Sequence, residues 1–256
     1  MLAELGRFTT LAGLTARTTL SSRKGAVTWV VALLPLYVVG GLAASGREVD
    51  MLLFQTLVVP LLLQVVLIII ALVHASRLLR EEIEDNTLPY LTTRRISKAS
   101  LVAYKFIGYY GSALLVVIPP LVVSYVIALA TTGTAFGADL AVLGALVAMS
   151  AAGALAYGGL FLLLGFSPLK RPLVLGLLYG FIWEPVMIGL PGNVPLLSVS
   201  HYLWSIGSHI VTIGILGQYP TSLDAFQAVM VPIAIGLAAI ALVYFLFLTR
   251  EVKSKD

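Results

Sequence analysis

The chain has 256 residues, of which 59% are hydrophobic and 11% charged, and its mean hydropathy is +1.01. A soluble domain carries about a quarter charged residues, so a soluble globular fold is excluded and a single-domain, all-α integral membrane protein is predicted. The net charge of +4 is no nucleic-acid signal, because the bases gather at the ends of apolar runs. The absence of cysteine excludes disulfides, thiolate metal sites and cysteine nucleophiles.

Residues 1–25 hold no continuous apolar core, so no secretory signal is read there. Leu2, Leu5, Phe8, Leu11 and Leu14 recur at roughly helical spacing, which predicts an interfacial helix on the membrane surface. A bilayer crossing needs about 20 mostly apolar residues. Six runs qualify: 26–44, 51–75, 101–130, 139–165, 173–190 and 226–248. Pro119-Pro120 is expected to kink the third. In the fourth, Gly144, Ala148, Ala152 and Ala156 form a small-residue stripe that permits close helix packing. Segment 191–225 is apolar but broken by glycine and proline, and it carries Tyr202, Trp204 and Tyr219. It is read as short re-entrant or interfacial helices; a seventh span over 199–216 is the competing reading.

Loop charge separates these two. With both termini cytoplasmic, every lysine and arginine except Arg47 falls on the inner side. A seventh span would put Arg250, Lys253 and Lys255 outside. Six spans are therefore expected in the cell membrane, with segment 76–100 inside.

That segment is the densest charged stretch. Between Ser76 and Lys105 stand four acids and six bases, flanked by apolar runs. Glu81, Glu82, Glu84 and Asp85 are expected on the last turns of the second helix, beyond the membrane. Asn86 ends that helix, and Pro89 fits the first turn of a new one near Thr87. Tyr90 and Leu91 then offer apolar surface, and Arg94, Arg95 and Lys98 lie near anionic lipid headgroups. The product is a short helix along the inner face whose apolar residues fit a groove on a water-soluble partner.

The run Glu82-x-Glu84-x-x-Thr87-Leu88-x-x-Leu91, followed by Ile96-Ser97 and Lys105, resembles the cytoplasmic loop of ABC-2 type permeases. These are membrane subunits of one class of ABC transporters. Asn86 and Arg95 depart from the family's usual glycine and proline. The order of spans, Trp183-Glu184-Pro185 and Leu197-Ser198-x-Ser200-His201-Tyr202 are similar too. The resemblance implies that residues 76–100 form a coupling helix gripped by a separate ABC ATP-binding subunit. It implies two ATPase copies and a second permease copy or homologue. ATP and Mg would be bound by that partner, with no cofactor in this chain. The chain itself has no G-x-x-x-x-G-K-[ST] loop. A permease is expected, exporting a lipophilic or amphipathic cargo along apolar walls.

Two other readings stand beside it. One is a non-transporting membrane anchor that uses ATPase strokes to signal. The other is an intramembrane hydrolase, disfavoured because H-E-x-x-H and G-x-S-G are absent and Glu81-Glu82 lacks the arginine of an E-E-x-x-x-R motif. Two polar residues stand within spans. Glu184 is read either as a pathway or outer-gate residue, or as interfacial beyond a helix break at Pro185. Gln64 either faces a pathway or hydrogen-bonds a neighbouring helix.

Overall fold

The computed structural model describes residues 13, 23–80, 98–135, 137, 139–169 and 171–249. The expected N-terminal surface helix lies almost wholly outside these residues. So do Glu81, Glu82, Glu84, Asp85, Thr87, Tyr90, Leu91, Arg94 and Arg95. Every regular element among the described residues is helical.

The first crossing is a pair, α1 (Arg23–Ala32) and α2 (Leu34–Ala44), bent by 42° at Leu33. Pro35 stands in the first turn of α2. It has no N–H for the Val31 carbonyl, which accounts for a break here. The second crossing, α3 (Met51–Ala75), begins with Asp50 as N-cap, its carboxylate accepting from the Leu53 N–H at 2.8 Å. Pro60 lies inside α3, and a π turn over Leu62–Val66 follows it. There the Leu67 N–H reaches back to the Leu62 carbonyl, widening the helix by one residue.

The longest helix, α4 (Lys98–Thr132), runs unbroken through Pro119 and Pro120. The two prolines remove N–H donors but leave the other bonds of this long helix in place. Next, α5 (Leu140–Phe166) is buried along most of its length. Then comes α6 (Pro172–Gly189), with a second π turn at Tyr179–Trp183. Short α7 (Val199–Ile210) and one-turn α8 (Gly214–Gly217) precede the last crossing, α9 (Ala225–Thr249). Five of these helices are long and apolar enough to cross a membrane, or six with the bent pair counted as one span. At 12 residues, α7 is too short to cross, so segment 199–216 is no seventh span.

Around α5 the other helices assemble. Tyr109 of α4 is fully buried, its ring lying where a Gly158 side chain would be and its hydroxyl donating to the Ala154 carbonyl at 3.2 Å. Phe54 of α3 meets Tyr125 of α4 edge-on, with centroids 6.2 Å apart. Of the Gly144–Ala156 stripe, Ala152 and Ala156 are buried. Gly144 is exposed and has nothing close to it. A Cβ at Gly159 would lie 2.6 Å from the Gly236 carbonyl oxygen of α9. One at Gly165 would lie 1.8 Å from the Ser76 carbonyl oxygen, just beyond α3. Small residues let helix backbones meet where dispersion, not water exclusion, drives association. The two least buried crossings, α6 and α9, turn large apolar side chains outward, among them Phe181, Ile182, Val186, Phe226 and Phe245.

Candidate functional site

Two places hold polar chemistry in this apolar bundle. The first is the base of the charged segment. After α3 the chain turns over Ser76–Leu79. Lys105 of α4 donates from Nζ to the Leu78 carbonyl at 2.9 Å, placing a cation on the carbonyl end of the second crossing. Arg80 donates to the Leu169 carbonyl in the α5–α6 connection at 3.3 Å. With Gly165 pressed against Ser76, the roots of the charged segment are fastened to α4, α5 and the Leu169 carbonyl. His74, buried one turn earlier, hydrogen-bonds Thr28 of α1 through Nε2. These contacts join the described end of the second crossing to α1, α4, α5 and the α5–α6 connection.

The second place is deep in the bundle on the other side. Glu184 is fully buried in α6, immediately after the π turn. Its Oε2 accepts from Ser198 Oγ at 2.5 Å and from the Ser200 N–H at 2.9 Å; its Oε1 accepts from the Val199 N–H at 3.2 Å. Those donors are the N-cap and first turn of α7. A helix leaves its first N–H groups without intrahelical partners, and its dipole favours negative charge there. Burying a carboxylate is costly unless it is hydrogen-bonded. Glu184 and the α7 N-terminus each answer the other's deficit. Tyr157 of α5 extends the cluster, its hydroxyl 2.7 Å from Ser200 Oγ. Pro185 does not break the helix: the wider turn just before it makes room for a ring that would otherwise strike the preceding carbonyl.

Along α7 the register against α5 is antiparallel. Ser200 meets Tyr157, Leu203 fills the space over Gly153, and Met149 and Leu216 close over Gly207. The start of α7 therefore lies deep and its end rises toward the start of α5. At that end, the side-chain Oε1 of Gln55 in α3 accepts from the Leu216 N–H of α8 at 3.3 Å. Gln55 is fully buried and its Nε2 has no partner among the described residues. Gly214, at φ +70°, leaves room for this amide; a Cβ there would lie 2.4 Å from Oε1.

Beside α7 opens a cleft of about 460 Å³, bounded by the end of α6, the 190–197 turn and residues 219–222. His201 and Tyr219 line it, joined Nδ1 to hydroxyl at 2.6 Å. Tyr219 also stacks on Trp204 with centroids 5.2 Å apart. Burial lowers the His201 pKa below 6.5, and burial raises that of Tyr219 to about 12, so both are neutral near pH 7.

Of the two polar span residues singled out in the sequence, Glu184 proves to hold the helix that follows it. Gln64 sits half-buried in the first π turn and is not among the hydrogen-bonding partners of Glu184. Gln55, which the sequence reading passed over, is the amide at the α7–α8 end. Its only sequence signal is a polar residue one turn inside an apolar run, which is common at span ends. Tyr202 is buried, its hydroxyl donating to the Leu196 carbonyl at 3.0 Å.

The family model described as ABC-2 family transporter protein matches residues 22–184. That stretch runs from the start of α1 to the carboxyl group that holds α7. No curated protein matches the chain. No solved structure matches it either.

Proposed function

This chain belongs to the ABC-2 transporter family, and from that premise we propose that it exports a lipophilic or amphipathic cargo using ATP hydrolysed by a separate subunit. As a membrane permease of an ABC transporter it works with an ATP-binding subunit. That partner would dock on Glu81, Glu82, Glu84, Asp85, Thr87, Tyr90, Leu91, Arg94 and Arg95 from the cytoplasm. Two ATP-binding subunits, holding ATP and Mg, would serve two permeases, this chain paired with a copy or a homologue. The observation that carries the reading is the family match across the charged segment and the crossings on both sides of it. The fastening of that segment's roots supports it mechanically. Closure of the ATPases would push on the segment, and the push would enter α3, α4 and α5 through Lys105, Gly165 and Arg80.

At the far end, α6 would carry the movement to α7 through Glu184. Tilting α6 must either drag α7 along or strip a buried carboxylate of its donors. Glu184 is thus given a role as outer-gate fastener rather than cargo ligand, and Gln64 is retained as a wall position beside the pathway. The apolar character of the crossings supports an oily cargo over a hydrated ion.

The test is co-purification. Glu82→Lys, Glu84→Lys and Leu91→Ala together should abolish recovery of the ATP-binding subunit with the tagged permease and abolish cargo-dependent ATP hydrolysis. Unchanged recovery and unchanged hydrolysis would remove the docking reading.

A further inference from the structure

The cleft beside α7 and the outer face of α6 are continuous, and their chemistries differ in a telling way. Among the residues lining the cleft there is no lysine, arginine, aspartate or glutamate. Its polar groups are neutral. Asn193 and Ser222 carry side chains with no hydrogen bond to any described residue, whereas His201 and Tyr219 are bonded to each other. Ile188 and Leu196 supply apolar walls. The Leu196 wall is fixed, because its carbonyl accepts from Tyr202 and the next carbonyl, of Leu197, accepts from Trp183 Nε1 at 3.2 Å.

From the rim of this cleft an apolar stripe runs down α6 on its outward face. Ile182, 56% exposed, and Val186, 49%, stand four residues apart on α6, and Leu190, 41% exposed, follows directly beyond its end. Leu190 also lines the cleft. The volume falls within the range of about 300–1,000 Å³ usual for small-molecule sites. A charged head would enter the cleft without a counter-charge and lose its water. A purely apolar molecule would leave Asn193 and Ser222 unused. A hydroxylated or amide head joined to a hydrocarbon chain matches both parts.

We infer that the cleft and the α6 stripe together bind an uncharged amphiphile, its polar head among Asn193, Ser222 and Tyr219 and its chain along Leu190, Val186 and Ile182. The identification of this ligand as cargo rests on the transport reading above; the site itself does not.

The chain carries three tryptophans; Trp29→Phe removes the remote one, and subtraction of a Trp204→Phe control isolates the emission of Trp204, stacked on the cleft residue Tyr219, with Trp183 kept in place. In phosphatidylcholine nanodiscs, 1-octylglycerol should change Trp204 emission saturably. Octyl phosphate and octyltrimethylammonium, of equal chain length, should require at least tenfold more. Ser222→Tyr, at an exposed position, should weaken the neutral probe at least tenfold, and Asn193→Ala several-fold, with unfolding temperature unchanged. A linear, unsaturable response shared by all three probes would mean bilayer partitioning only and would overturn the site. Equal affinity for a charged probe would overturn the ligand class. The same titration on the complex with its ATPase separates the two readings. Stimulated hydrolysis marks the ligand as cargo. Binding without stimulation upholds the site, occupied by a resident lipid, and counts against the cargo reading alone.

Discussion

Removing the Glu184 carboxylate should detach α7 from α6. Glu184→Ala leaves two backbone N–H groups, those of Val199 and Ser200, without their acceptor. It also leaves the Ser198 hydroxyl free to turn elsewhere. A buried donor stripped of its partner costs about 1–3 kcal/mol. Two such groups set a loss of roughly 2–6 kcal/mol in the docking of α7, before the emptied volume adds to it. At about 1.4 kcal/mol per factor of ten, the detached form becomes at least tenfold more populated. The chain has no cysteine, so Leu203→Cys provides a clean reporter at a fully buried α7 position. A water-soluble maleimide should label this cysteine slowly when Glu184 is present and at least tenfold faster with Glu184→Ala. Glu184→Gln should fall between, since one oxygen can still accept while the new NH2 group faces a donor. Equal labelling rates for all three would refute the fastener, and the three hydrogen bonds would then contribute nothing to the position of α7.

Gly165→Ala should push α5 away from the end of α3, because its Cβ would lie 1.8 Å from a backbone oxygen that no rotamer change can move. Overpacking of this kind costs about 1–3 kcal/mol, read as a lower unfolding temperature. Lys105→Met should loosen the base of the charged segment by about 1–3 kcal/mol through the lost bond to Leu78. It should uncouple ATP hydrolysis from cargo while the ATP-binding subunit still co-purifies. Stability should also depend on pH through His201. Its folded pKa is depressed by burial, so the contribution is fully present above 6.5 and is lost as pH falls below that value. Melting temperatures between pH 8 and pH 5 should fall in the parent chain, and His201→Gln should flatten that fall.

The crossings were legible because a bilayer leaves so few options: twenty or so apolar residues and a helix to satisfy the backbone. The runs at 51–75 and 139–165 needed nothing else. The details that escaped are set by partners distant in sequence. The bend at Leu33 and the two π turns lie beside prolines, Pro35, Pro60 and Pro185, yet Pro119 and Pro120 sit in an unbroken helix. Proline marks where a break is permitted, and packing decides whether one occurs. The glycines that matter were likewise invisible to spacing alone. Gly165 is close-packed because Ser76 lies opposite it, a fact of tertiary register. Glu184 stood out as costly in lipid, but its role required knowing that an eight-residue return brings Ser198 back to it. For the charged segment, sequence supplied the chemistry, while the structure describes only its roots at Arg80 and Lys98.

The short length of α7 bears on how the protein is built. Twelve residues cannot enter a bilayer as an independent unit, and their first-turn N–H groups have no acceptor in hydrocarbon. The receiving surface comes from three separate parts of the chain: Glu184, the Gly153 face of α5 and Gln55 near the start of α3. All three are synthesised before α7. The segment therefore gains its acceptors only when these three parts have come together, so its docking depends on the prior packing of α3, α5 and α6.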